Sequence, residues 1–123
     1  MLKSQVIYVQ VKRNEFDCWN HSSGQRETVT SENAFSSDRL AISDFVVSID
    51  VLKKAIGFSN LKYFLKPKPT LIMHQRYNGE NISPIEIRIL QELAVSSGAR
   101  SVHIWQGDEL TENDLSSKVY ENT

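Results

Sequence analysis

The chain has one cysteine among its 123 residues, Cys18, so no internal disulfide framework can form and a thiolate zinc finger lacks its partner cysteines. A dominant charge is also missing. Fourteen Lys plus Arg stand against fifteen Asp plus Glu, a formal −1, which leaves no overall field to draw in nucleic acid or an anionic membrane. No apolar run exceeds the four residues Val6 to Val9, far below the roughly 20 needed to span a bilayer and too short for the apolar stretch of a secretory leader. These absences predict a soluble, cytoplasmic chain without a membrane span. Glycine is sparse: none precedes Gly24, and Gly57, Gly79, Gly98 and Gly107 are isolated, each with a turn or cap reading, so no Gly-rich phosphate cradle is present. What is there, 40% apolar and 24% charged residues in 14.1 kDa, is ordinary globular composition at the size of one domain.

The chain order carries more than the composition. Val6 to Val11 is β-branched and aromatic, Lys12-Arg13-Asn14 supplies turn-tolerant residues, and Glu15 to Trp19 resumes with strict alternation that puts Phe16 and Cys18 on one face. This predicts a hairpin, with Arg26 to Thr30 as a third, edge strand after the break at His21-Ser22-Ser23-Gly24. Ser31 to Asp38 reads as a connection that returns to the core through Ile42, Phe45 and Val46. Ser48 is the expected N-cap of a first helix, with Asp50 in its first turn, Val51, Leu52, Ala55 and Ile56 as its apolar stripe, and Gly57 as its stop. After Phe58 to Lys68, with Pro67 and Pro69 as breakers, Thr70 to His74 reads as a strand.

Ser83-Pro84-Ile85-Glu86 combines a capping Ser, Pro at the first helical position and a Glu at the third, and predicts a helix of about 14 residues closed by Gly98. Ile82 and Ile87 fit a hydrophobic staple, and Ile85, Ile89, Leu90 and Leu93 are the expected buried stripe. Val102 to Trp105 is a last strand. The reading is a single domain over 1–107 followed by an acidic polar tail over 108–123, loop or weakly helical, in which Asp108, Glu109, Glu112 and Asp114 serve solubility or offer a handle to a basic partner. The fold class is α/β with an α+β-like mixed sheet in the order β-β-β-α-β-α-β, the ribonuclease H-like order shared by nucleases, sugar kinases and actin-like ATPases.

Three segments add a resemblance. Leu40-Ala41-Ile42-Ser43-Asp44-Phe45, Ser83-Pro84-Ile85-Glu86-Ile87-Arg88 and Ser97-Gly98-Ala99-Arg100-Ser101-Val102-His103-Ile104 resemble the first domain of the MreB family of actin-like proteins over residues 40 to 107. Tyr8-Val9-Gln10-Val11-Lys12-Arg13-Asn14, Ala34-Phe35-Ser36-Ser37-Asp38-Arg39-Leu40 and Glu86-Ile87-Arg88-Ile89-Leu90 resemble the YjaA-like small enterobacterial proteins linked to stress responses, over most of the chain. The first resemblance implies an actin-like ATPase subdomain whose opening strand ends in an acidic residue and a Gly-Thr phosphate loop. This chain has Val11-Lys12-Arg13-Asn14-Glu15 there, so side chains stand where backbone amides would approach phosphate. Its length also leaves no room for the second half that completes the nucleotide site in such ATPases. By the same resemblance Glu86 falls where the residue orienting the attacking water belongs, yet its spacing from Ser83 alone already assigns it to a capping box.

The remaining chemistry-bearing residues are few. A two-metal nuclease needs converging carboxylates with one on the first strand; that strand has none, and Asp17 and Asp44 stand without partners. His74, His103 and Cys18 are candidate metal ligands, although their spacing matches no ligand pattern, and Cys18 has a default reading as a small buried hydrophobe. Lys62, Lys66 and Lys68 with Tyr63 and Phe64 form one basic-aromatic patch, which suits a solvated linker better than a nucleic-acid platform. The expectation is a non-catalytic, cytoplasmic protein-interaction module in a stress or envelope-related setting. It has no cofactor, it acts through a protein partner or self-association, and its small-molecule ligand, if one exists, is unknown. Its rivals are a nucleotide hydrolase with a degenerate site around Glu86 and Asp44, and an immunity protein that neutralises a toxin.

Overall fold

The computed structural model describes residues 5–59, 68–77 and 81–122. Among these residues it is a mixed α/β fold: a five-stranded sheet in the order β3-β2-β1-β4-β5, with three α-helices. The basic-aromatic patch at Lys62, Tyr63, Phe64 and Lys66 lies outside the described residues, as do Pro67 and Gly79.

Strand β1 (Val6–Lys12) is the middle of the sheet, and its near-continuous apolar sequence fits that place because Ile7 to Val11 are buried whichever way they point. Strand β2 (Glu15–Asn20) runs antiparallel to it and alternates, sending Phe16 and Cys18 to one face and Asp17 and Trp19 to the other. Asn14 closes the turn between them at φ 54°, a left-handed conformation that Asn tolerates better than a branched residue would. Strand β3 (Arg26–Thr30) adds to β2 antiparallel and forms one edge. Strands β4 (Thr70–Gln75) and β5 (Ser101–Trp105) follow on the far side of β1, both parallel to it.

Helices α1 (Phe45–Ser59) and α2 (Pro84–Ser96) cover one face, α1 over β2 and β3, α2 over β4 and β5. Between them and the sheet lies the main core of Ile7, Val9, Phe16, Leu52, Leu71, Met73, Leu90 and Leu93, into which Phe35 inserts and stacks on Phe16 with centroids 4.8 Å apart. The cap of α2 is as its spacing predicts. Ser83 Oγ accepts from Glu86 N at 3.2 Å and Glu86 Oε1 accepts from Ser83 N at 3.1 Å. Gly98, at φ 110°, ends the turn beyond it.

The start of α1 differs from expectation. Asp44, not Ser48, is its N-cap: Asp44 Oδ1 accepts from Val47 N at 3.1 Å, and the Asp44 carbonyl accepts from Ser48 N at 3.1 Å. Ser48 lies buried inside the helix, where its hydroxyl donates to the Phe45 carbonyl at 2.7 Å and so is satisfied without ending anything. Asp50 is consequently beyond the first turn, paired with Lys54 at 3.3 Å, and Val46 points outward at 77% exposure. The helix also continues past Gly57. In α2 the buried residues are Leu90, Leu93 and Ala94; Ile85, assigned to the stripe from its spacing, is 74% exposed.

Residues 108–122, expected as a polar tail, fold onto the second face of the sheet. Thr111 and Asp114 make a reciprocal capping box for α3 (Glu112–Ser117), Lys118 turns the chain at φ 56°, and a 3-10 turn follows over Val119–Asn122. Leu110, Leu115 and Tyr120 pack on Tyr8 and Ile72 to form a second, smaller core. The acidic residues face solvent while these three apolar side chains supply the contact. Leu115→Ala is expected to destabilise the whole protein by about 2–4 kcal/mol in denaturant unfolding, as for a core leucine; a loss below about 0.5 kcal/mol would mean this segment lies outside the cooperative unit.

Candidate functional site

Two places bring polar side chains together at the C-terminal ends of the parallel strands, one on each side of the sheet. The first is the β1–β2 turn. Asn14 Oδ1 accepts from the Phe35 and Ser36 amides at 2.9 and 2.7 Å, and the Asn14 amide donates to Ser36 Oγ at 2.9 Å. Ser36 Oγ in turn donates to the Ala41 carbonyl at 2.6 Å. Arg13 donates to Asp38 Oδ1 at 2.9 Å and to Tyr77 Oη at 2.5 Å, and Tyr77 donates to the Ser37 carbonyl at 2.9 Å. Residues 35–38 therefore fold back over the turn and engage both Asn14 and Arg13. An anion arriving at the Asn14 amide would have to displace Ser36 from it.

The second place lies under the loop that follows β5. Sheet register sets Gln10 beside Asp17 on one side and His74 on the other, all on the second face. Tyr8 Oη donates to His74 Nδ1 at 2.6 Å and accepts from Leu110 N at 3.1 Å, while the rest of the His74 ring reaches the backbone at Gly107. The contact of the His74 ring with the Gly107 backbone assigns the imidazole proton to its far nitrogen, which leaves Nδ1 to accept from Tyr8 and His74 as the neutral imidazole. Burial agrees with this: it pushes Tyr8 up to about 12 and His74 down to about 4, the latter helped by Arg76 and opposed by Gly107 and Glu109. With both nitrogens engaged and its charged form disfavoured, His74 is poorly placed as a general base. It clamps the 107–110 loop, and with it α3, to the sheet.

The residues singled out from the sequence do not converge. Cys18 lies on the helix-covered face, fully buried, and burial beside Asp17 and Glu27 raises its thiol far above the range of a reactive thiolate. His74 and His103 are on the opposite face, and His103 meets Tyr120 edge-on at 5.1 Å. Among the described residues no group of three or more His, Cys, Asp or Glu could hold a metal ion. Glu86 has both oxygens occupied, Oε1 by the Ser83 amide and Oε2 by Gln75 Nε2 at 3.0 Å, and these bonds hold its carboxyl below the ordinary range. Asp44 caps α1, and Asp17 pairs with Lys12 at 3.5 Å.

Sequence spacing carries no signal for the Tyr8–His74–Leu110 link or for the Asn14 clamp. Tyr8 and His74 were visible only as members of separate strands, and Leu110 is 102 residues away from Tyr8 in the chain. No protein-family model matches the chain, and no curated protein matches it significantly. Among the described residues no helix is long and apolar enough to cross a membrane.

His74 generates a pH dependence. The unfolded chain takes up a proton near pH 6.5, whereas the folded chain resists it down to about 4. The stabilisation is therefore complete above about pH 6.5 and declines as pH falls towards 4, by up to about 3 kcal/mol in chemical unfolding. His74→Gln removes this part of the slope; an unchanged profile in the variant contradicts the buried neutral imidazole.

Proposed function

We propose that this chain is a non-catalytic, cytoplasmic protein-interaction module on a ribonuclease H-like scaffold, a degenerate relative of the MreB-like first domain acting in a stress-response setting. The strand order β3-β2-β1-β4-β5, an antiparallel meander extended by two parallel strands, supports that scaffold. One observation carries the non-catalytic reading. The β1–β2 turn, where an actin-like ATPase would cradle phosphate, is closed by the chain's own residues 35–38 through Asn14, Ser36 and Arg13. Glu86 supports it further, since its carboxylate is engaged by the Ser83 amide and Gln75 and serves the cap of α2. Exposed Val46, Ile85 and Val95 supply apolar surface for contacts with protein.

Calorimetry with ATP and magnesium tests this reading. No saturable heat is expected up to millimolar nucleotide, and Glu86→Ala should lower thermal stability, by about 0.5–2 kcal/mol for a lost cap, without changing that result. Saturable binding that disappears in Glu86→Ala would instead establish a working nucleotide site and overturn the proposal.

A further inference from the structure

We infer that the outward face of α2 is a self-docking surface, on which a second copy of this chain lays its own α2 antiparallel about a two-fold axis. This rests on the reading of the chain as a protein-contact module and names the partner. Helix α2 turns Leu90, Leu93 and Ala94 to the sheet, yet it also carries Ile85 at 74% and Val95 at 59% exposure on its other side. At about 100° per residue, Ile85, Arg88, Glu92 and Val95 fall within an arc of roughly 80°, a stripe rather than a scatter, with half-buried Ile89 at its edge.

The order of residues along that stripe selects the occupant. Ile85 and Val95 lie equally far from position 90, and so do Arg88 and Glu92. A two-fold axis at position 90 sets Ile85 against Val95 of the second copy and Arg88 against Glu92 of the second copy, each twice. Parallel packing would face Arg88 with Arg88 and Glu92 with Glu92. The charges thus complement one another in one orientation and repel in the other. Within one chain the Arg88–Glu92 pair is long, 3.9 Å, and its side chains are 80% and 57% exposed, so both ends can be shared with a partner at little cost. Phe45 completes the seat: it lines a groove with Ile85, Arg88, Ile89 and Glu92, over which Val95 of the second copy would lie. Ten residues of helix span only about 15 Å, so the contact is small and the dimer should be concentration-dependent.

Sedimentation equilibrium on the full chain, with circular dichroism to check folding, reads the outcome. The wild type is expected to move from 14.1 kDa towards twice that mass as its concentration rises. Arg88→Glu and Glu92→Arg, each alone, should weaken association at least about tenfold, because each places like charges in both pairs. Mixing the two variants should restore it, since every pair in the mixed dimer is again of opposite charge, and Ile85→Asp should abolish it. A monomer up to about 500 µM, or single reversals that associate like the wild type, overturns the inference. Neither result touches the non-catalytic reading, which falls only to saturable nucleotide binding.

Discussion

Strand β1 is buried on both faces, and most of the structure follows from that constraint. A strand with water on neither side needs hydrogen-bonding neighbours on both edges and a covering layer above and below. β2 and β4 supply the edges, α1 and α2 one layer, and the C-terminal segment the other. Alternation then divides its side chains: Ile7, Val9 and Val11 belong to the main core, while Tyr8 and Gln10 face the second. The hydroxyl of Tyr8 is a polar group that this second core must satisfy, and His74 with the Leu110 amide does so. Residues 108–122 are therefore part of the domain, because without them Tyr8 and Ile72 would meet water.

The same strand determines what happens at its far end. Beyond Lys12 the chain reverses through Arg13 and Asn14, and the segment leading to α1 packs Phe35 under the turn against Phe16. Once Phe35 is anchored there, the amides of 35 and 36 and the Ser36 hydroxyl are within reach of Asn14, and Asp38 within reach of Arg13. Packing and polar closure of the turn are one event. The Asn14 side-chain amide thus fills the inside of the turn, held by the amides of Phe35 and Ser36.

The sheet was largely legible because its strands are local patterns: a continuous apolar run for β1, strict alternation for β2, and short β-branched stretches for β4 and β5. The Ser83-Pro84-Glu86 cap was legible for the same reason. The errors fall where several local solutions compete. Asp44 and Ser48 are both good caps, and an extra helical turn decided between them because Ser48 could satisfy its hydroxyl on Phe45. Isoleucine is distributed around α2 on more than one side, so the pattern admitted Ile85 to a stripe from which the sheet excludes it. In the C-terminal segment, Leu110, Leu115 and Tyr120 repeat every five residues, which matches neither helix nor strand, and only contact with Tyr8 and Ile72 gives them a role. As for the site, Cys18 and His74 were separable in principle, since register puts them on opposite faces, whereas the Asn14 and Tyr8 networks depend on long-range closure that spacing does not encode.

The β1–β2 turn is closed by its own chain. The backbone amide resonances of Asn14, Phe35 and Ser36 report on it directly when magnesium and ADP are titrated into isotopically labelled protein. All three should stay in place and remain slow to exchange with solvent, as internally bonded amides do. Saturating shifts at these amides, accompanied by faster exchange of Ser36, would mean that the turn opens to receive phosphate and would contradict the account.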